Sequence, residues 1–255
     1  MRFLRIILIT LLIILLVSVI GSAIAYTIIN SRHTARPEAL AALTSDVAVT
    51  VTNPEGEDWH VFEPTGMTPT TGFIIYPGGF VDPVAYAPIA RAIAEVGHLV
   101  VINPMPLNLA VLDIEAADRI IAAFPEIATW AIGGHSLGGA MATEYVAGNP
   151  DEINGLALWA AYPASNTDLS DFDLTAVSVY GDADGVASVA DVKDGAARLP
   201  AGAVFILIPG GNHTQFGRYG EGLQHGDNPA GIGRDEQQQL MADSTIEMLA
   251  TIDAK

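Results

Sequence analysis

A serine flanked by glycines stands where an apolar strand pattern gives way to a helix pattern. Residues 134–138 read Gly-His-Ser-Leu-Gly, after the apolar run Ala128–Ile132 and at the start of the Ala-rich stretch Leu137–Ala147. A sharp strand-to-helix turn strains the serine backbone and lifts the hydroxyl above the sheet. The N-terminus of the following helix favours a developing oxyanion. The pattern therefore predicts that Ser136 is a catalytic nucleophile.

A serine nucleophile needs a base, and the base needs an acid that orients it. Both are expected after later strands, in the order serine, acid, histidine. His213 ends a Pro-Gly-Gly-Asn-His segment that follows an apolar run, and we predict that it is the base. Asp182 and Asp184 both follow the strand pattern of Ala176–Tyr180. We favour Asp184 as the acid, because it lies far enough past the strand to turn back, while His225 is the rival base.

Two backbone N–H groups are needed to stabilise the oxyanion of an acyl transition state. One should come from Leu137, the residue after the nucleophile. The other should come from the glycine-containing loop after the apolar run Gly72–Tyr76. Glycine lets a backbone approach a substrate closely. We predict Gly79 as this second donor, with Phe80 as the alternative.

The substrate pocket can be predicted only from residue type and position. The candidates for its wall are Phe80, Tyr86, Met105, Leu107 and Tyr162. Such an apolar pocket suits a small-molecule acyl substrate, either an ester or a thioester. The mechanism requires no metal and no organic cofactor. The absence of cysteine excludes a thiol nucleophile and cysteine-ligated metals.

The elements that must position these residues alternate along the chain. Two short strands at 46–52 and 59–62 read as an antiparallel start, and apolar strands then alternate with helices up to Arg234–Ile252. This alternation predicts an α/β fold with a mostly parallel sheet and helices on both faces. Only about 16 residues separate the strands that end near Trp159 and start near Ala176. A large lid domain is therefore not expected.

The N-terminus is a separate apolar segment. Arg2 and Arg5 precede a stretch without charges, and residues 6–29 as a helix would be about 36 Å long, enough to cross a bilayer. We predict a transmembrane signal-anchor within residues 1–30, a linker at 31–44 and a catalytic domain at 45–255. The alternative is a signal peptide cleaved near Ala25, which would release a secreted domain. In the anchored form we place the domain on the extracytoplasmic side.

Charge restricts the partners of the 255-residue chain. The 29 Asp and Glu residues against 11 Lys and Arg residues give a net charge of −18. A surface this acidic repels phosphate backbones, which excludes nucleic acid as a partner. The sequence does not indicate an oligomeric state.

These motifs together resemble the α/β-hydrolase superfamily over about residues 44–252. The chain is similar to the compact branch without a lid that includes dienelactone-hydrolase-like proteins. The segments 76–88 (YPGGFVDPVAYAP) and 103–110 (NPMPLNLA) also resemble a membrane-tethered group of uncharacterised hydrolases in that branch. The resemblance implies Ser136 as nucleophile, His213 as base and Asp184 as acid.

The chain departs from that branch at two positions. Dienelactone hydrolases use a cysteine nucleophile where this chain has Ser136, so their substrate is not carried over. Pro77 stands where many esterases have histidine, which leaves the second oxyanion donor open. The function predicted is a serine hydrolase of the carboxylesterase type. The alternatives are an acyltransferase or another catalyst on the same fold, or a membrane-tethered protein without catalytic activity.

Overall fold

Eight strands form one sheet in the computed structural model, which describes the backbone of residues 2–254 and the side chains of residues 10–28 and 30–254. In chain order the strands are β1 (Val49–Thr52), β2 (His60–Pro64), β3 (Thr71–Tyr76), β4 (Leu99–Ile102), β5 (Thr129–His135), β6 (Gly155–Trp159), β7 (Thr175–Gly181) and β8 (Val204–Ile208). Their spatial order is β1-β2-β4-β3-β5-β6-β7-β8. The β1–β2 and β2–β4 pairs are antiparallel and all other pairs are parallel, which confirms the predicted mostly parallel sheet with an antiparallel start.

Seven α-helices accompany these strands in the described part of the chain. They are α1 (Arg2–Arg32), α2 (Pro37–Ala41), α3 (Ala87–Glu95), α4 (Ala116–Ala123), α5 (Leu137–Gly148), α6 (Val189–Ala196) and α7 (Arg234–Asp253). Helices α3 and α7 pack on one face of the sheet, whereas α4 and α5 pack on the other. Successive side chains of a strand alternate between these two cores, so that Phe73 joins one and Ile74 the other. The central strands are therefore apolar on both faces.

The parallel strands end at a common edge of the sheet. The loops after β3, β5, β7 and β8 all leave from this edge, and they carry the residues predicted to do chemistry. The connection between β6 and β7, residues 160–174, contains no helix or strand. This connection is too short to hold a large lid domain.

The segment 31–44 differs from the expected linker. It contains α2, whose Ala39 is fully buried. The Arg36 N–H donates to the Arg218 carbonyl at 2.8 Å, and the Arg91 guanidinium donates to the Ala42 carbonyl at 3.0 Å. The segment therefore packs along the domain. The sequence did not indicate this, because its polar and alanine-rich composition is equally typical of a flexible connection.

Helix α1 is apolar and projects from the domain. Its part Thr10–Arg32 contains an 18-residue window with a mean hydropathy of 2.6, which is sufficient for a membrane span or for a signal sequence. The side chains of residues 10–25 are exposed. Part of the predicted span, namely residues 6–9 and Ile29, lies outside the described side chains.

Strand β8 forms an outer edge of the sheet. In the described chain, β7 is the only strand that pairs with it. Val204, Phe205 and Leu207 expose apolar side chains along this strand. The other outer strand, β1, is shorter and alternates valine with threonine.

Candidate active site

Ser136 lies in the tight turn between β5 and α5. Its backbone has φ 54° and ψ −122°, a left-handed conformation that strains a residue with a side chain. Its N–H donates to the Trp159 carbonyl of the neighbouring strand at 3.0 Å, which holds the turn in place. A Cβ on Gly134 or on Gly138 would collide with the Tyr76 carbonyl oxygen. Both glycines are therefore required for the turn to pack against β3.

His213 and Asp184 form a fully buried pair at the ends of β8 and β7. His213 Nδ1 lies 2.8 Å from Asp184 Oδ2, and both side chains are inaccessible to solvent. The carboxylate accepts this hydrogen bond, so Nδ1 carries the proton and Nε2 has a free lone pair. Nε2 is buried and has no hydrogen-bond partner within the described residues. An imidazole arranged in this way is suited to accept a proton.

The backbone after β7 holds the Asp184 carboxylate. Its Oδ1 accepts from the N–H groups of Val186 at 2.8 Å and Ala187 at 2.7 Å, which leaves Oδ2 for His213. Asp182, the rival acid, is exposed, and its Oδ1 accepts from the Gly210 N–H at 2.6 Å. The structure therefore brings Asp184 to His213, whereas Asp182 joins the loop after β7 to the loop after β8.

The rival base, His225, is exposed on a surface loop. Asp227, two residues later, contacts both the loop that carries Asp184 and the loop that carries His213, which the sequence did not predict. Its Oδ1 accepts from the N–H groups of Gly185 at 3.1 Å and His213 at 3.2 Å. Its Oδ2 accepts from the Thr214 N–H at 2.8 Å and from the Thr214 hydroxyl at 2.6 Å. The sequence carried no signal for this role, because an aspartate in a polar loop is an ordinary surface residue.

The loop after β3 comes against the start of α5. A Cβ built on Gly79 would lie 3.2 Å from the Leu137 side chain. The N–H groups of Gly79 and Leu137 have no partner among the described residues, so both are free to bind an oxyanion. The Phe80 N–H instead donates to the Asn108 carbonyl at 2.7 Å. Phe80 is therefore not available as the alternative donor.

A cleft of about 340 Å³ opens beside Ser136. Its lining is mostly apolar and comprises Ser136, Leu137, Ala140, Ala160, Ala161, Tyr162, Ala164, Val186 and Ala187. Tyr162 is the residue of the predicted pocket wall that lines it. Phe80 lies outside this lining and is half-buried at the loop after β3.

The other three predicted wall residues also lie elsewhere. Met105 is buried in the core, where its sulfur accepts from the Asn103 amide at 3.3 Å. Leu107 is exposed, in a left-handed conformation with φ 54°. Tyr86 is fully buried below the site. Side-chain type alone could not place these residues, because each position depends on how a loop folds back.

The Tyr86 hydroxyl joins the loop after β3 to His135, the residue before Ser136. It accepts from the Gly78 N–H at 3.0 Å and forms a hydrogen bond of 2.9 Å with His135 Nδ1. The His135 ring in turn lies 4.5 Å, centre to centre, from the His213 ring. Burial and the neighbouring His213 lower the pKa of His135, and burial raises the pKa of the Tyr86 hydroxyl. Both groups are therefore neutral at neutral pH, and the hydroxyl keeps its proton.

No group of three or more His, Asp or Glu side chains in the described chain is arranged to hold a metal ion. The chemistry available at the site is that of the serine, the aspartate–histidine pair and the free N–H groups. These groups can carry out nucleophilic attack at a carbonyl with proton transfer to and from the imidazole.

The fold and the site together define a class of protein. A mostly parallel sheet lies between helices, a strained serine stands between a strand and a helix, and a buried aspartate–histidine pair lies at the same edge. The model of the Alpha/beta hydrolase family matches residues 72–239, and the chain belongs to that family. No curated protein sequence matches the chain. Membership of the family supports a hydrolase-type catalyst.

Proposed function

We propose that the protein is a serine hydrolase that cleaves a carboxylic ester or a related acyl bond. Ser136 is the nucleophile, His213 the base and Asp184 the acid. The observation that carries the proposal is the buried His213–Asp184 hydrogen bond of 2.8 Å, which leaves a free Nε2. The strained backbone of Ser136 adds support, since strain of this kind clusters at active sites.

The first half of the reaction acylates the serine. His213 Nε2 takes the Ser136 proton as Oγ attacks the substrate carbonyl. Asp184 stabilises the imidazolium that forms and keeps the ring in the required tautomer. The N–H groups of Leu137 and Gly79 bind the oxyanion, and one such donor contributes about 3–4 kcal/mol to the transition state. His213 then gives its proton to the leaving alcohol.

The second half of the reaction releases the acid. Water attacks the acyl-enzyme, and His213 accepts its proton and returns it to Ser136. The cleft beside Ser136 is lined by alanines, Val186 and Tyr162, which suits an apolar acyl group. The short connection between β6 and β7 favours the compact, lid-less branch similar to dienelactone-hydrolase-like proteins.

We also propose that α1 stays attached as a single-pass membrane anchor. Residues 6–29 span the bilayer, and the catalytic domain lies on the extracytoplasmic side. The length and hydropathy of the helix support this, as does the packing of residues 31–44 on the domain, which fixes the helix to it. A cleaved signal peptide is the alternative that the apolar segment also permits.

The test is covalent labelling of the full-length protein in detergent with a fluorophosphonate. Mass spectrometry of the intact chain should show one adduct on the parent and none on Ser136→Ala. His213→Ala should lower the labelling rate by at least 1,000-fold, because the nucleophile then lacks its base. A folded parent that takes no label would exclude an activated serine and leave the non-catalytic alternative.

A further inference from the structure

The end of α1 touches the loop that carries the oxyanion donor. The Tyr26 ring packs edge-on against the Phe80 ring, with 6.4 Å between their centres. Asp82, in the same loop, binds the chain that follows the helix. Its N–H donates to the His33 carbonyl at 3.1 Å, and its Oδ2 accepts from the Ala35 N–H at 3.1 Å. The helix is therefore attached to the loop after β3 rather than to a remote part of the domain.

A second set of contacts joins the same end of α1 to the catalytic histidine. The His33 ring packs edge-on against Tyr219 at 5.5 Å, and Ala35 forms an isolated β-bridge with Tyr219. The Tyr219 ring lies 6.4 Å from the His135 ring, which contacts His213. Only two side chains, those of Tyr219 and His135, thus lie between His33 at the end of the apolar helix and His213.

Helix length sets the depth of this junction. Within the proposed span 6–29, the 20 helical residues 6–25 alone rise about 30 Å, which is the thickness of the hydrocarbon layer of a bilayer, so residues 26–29 cross its boundary with the headgroups. Tyr26 is the next residue, and tyrosine is enriched at the boundary between hydrocarbon and headgroups. Arg32 and Arg36 follow, so that cations flank the span on the domain side. Because Tyr26 contacts Phe80, the loop after β3 lies at the level of the headgroups.

The surface next to this loop is apolar. Leu107, Val111 and Leu112 expose 57%, 50% and 53% of their surface to solvent. Their segment is joined to the oxyanion loop, since the Phe80 N–H donates to the Asn108 carbonyl. Three large exposed apolar side chains within six residues form a patch that water solvates poorly and that hydrocarbon accommodates. Phe80 links the two regions, because its ring packs against Tyr26 of the helix and its N–H donates to Asn108 in the segment of the patch.

We propose that the opening above Ser136 faces the bilayer and that the substrate is a carboxylic ester whose acyl chain remains in the membrane. This inference rests on the proposed serine hydrolase function. The ester carbonyl rises from the headgroup level to Ser136, and the acyl–oxygen bond is cleaved. Water supplies the hydroxyl of the released fatty acid and the proton of the released alcohol.

The first test measures the depth of the patch. The chain has no cysteine, so Leu112→Cys provides a single site for a nitroxide spin label. The control is Val47→Cys, which is 93% exposed and precedes β1 at the opposite edge of the sheet, where Val49 pairs with Pro64. In full-length protein in phosphatidylcholine vesicles, relaxation by oxygen should dominate for the label at 112, and relaxation by a water-soluble nickel chelate for the label at 47. Equal access of the chelate to both labels would overturn the proposal.

The second test compares two substrates in the same vesicles. The parent should hydrolyse dioleoylglycerol in the bilayer as well as soluble 4-nitrophenyl butyrate. The double variant Val111→Asp/Leu112→Asp should lower the ratio of bilayer to soluble activity at least 10-fold, whereas Val47→Asp should leave it unchanged. An unchanged ratio in the double variant, or a parent active only on the soluble ester, would contradict the inference. A parent that hydrolyses neither ester but takes the fluorophosphonate label refutes this substrate class alone. A parent that also takes no label refutes the proposed function, and the spin-label depth then decides separately whether the opening faces the membrane.

Discussion

The two aspartates after β7 have the same residue type and separate roles. Asp184 uses both carboxylate oxygens inside the site, one for His213 and one for two backbone N–H groups. Asp182 is exposed and binds the Gly210 N–H. The sequence favoured Asp184 because of its distance from the strand end, but the loop geometry needed to exclude Asp182 arises only when β7 and β8 pair.

Asp184→Asn should lower kcat for 4-nitrophenyl butyrate by about 1,000- to 10,000-fold, because the amide favours the wrong histidine tautomer. Asp182→Asn should change kcat by less than about 5-fold, since the side chain can still accept from Gly210. Circular dichroism of both variants controls for folding. Equal losses in the two variants would show that Asp184 has no special role.

Asp227 is expected to position the base without touching the substrate. Asp227→Ala removes the acceptor of the His213 N–H and the Gly185 N–H, so the loops that carry His213 and Asp184 lose a common support. A displacement of about 1 Å at a catalytic group costs on the order of 100-fold in rate. We therefore expect kcat to fall about 10- to 100-fold. Asp227→Asn should restore part of it, because its single amide oxygen can accept from the Gly185 and His213 N–H groups but its nitrogen cannot accept from the Thr214 N–H. A loss of thermal stability without a change in kcat would instead assign Asp227 a purely structural role.

At the level of elements, most of the arrangement could be predicted from the sequence. Apolar runs bounded by turns located the strands, and the alternation of strands with helices predicted the parallel sheet. The prediction missed α2 and the packing of residues 31–44, because these depend on distant partners such as Arg218 and Arg91. It also misplaced Tyr86, whose hydroxyl meets His135 only after β3 and β5 pair.

The junction of β5 and α5 depends on glycines that leave no room for a methyl group. Gly138→Ala would place a Cβ against the Tyr76 and Pro77 carbonyl oxygens. We expect the free energy of unfolding to fall by about 1–3 kcal/mol or more, the range of overpacked cores. Gly148→Ala, at the other end of α5, has nothing within 4 Å and should be neutral or slightly stabilising. Urea unfolding of the two variants measures the difference, and similar midpoints would contradict this account of the turn.

At the level of the whole molecule, buried His135 makes stability depend on pH. Its pKa is lowered in the folded protein by burial and by His213, while an unfolded histidine titrates near pH 6.5. At pH values between the pKa of His135 in the folded protein and its pKa in the unfolded chain, the unfolded chain binds a proton that the native protein does not. Stability therefore rises with pH in this window and is lost as pH falls below about 6.5.

His135→Phe retains a ring at this position and removes the titration of His135. Between pH 7 and pH 5.5 the parent should lose about 1 kcal/mol more unfolding free energy than the variant. Urea unfolding at the two pH values tests this expectation. An equal loss of unfolding free energy in parent and variant would mean that His135 already takes up a proton in the native state.

The open edge of β8 has a consequence for how copies of the protein meet in solution. Its outer backbone N–H and C=O groups face no strand in the described chain, and apolar side chains stand beside them, so two copies can pair there. The net charge of −18 opposes that encounter at long range. Salt at 0.1 M reduces the range of this repulsion to about 10 Å, but it does not weaken strand pairing or apolar contact. Self-association should therefore increase with ionic strength, opposite to the behaviour of dimers held by charge, and low-salt buffers should keep the copies apart.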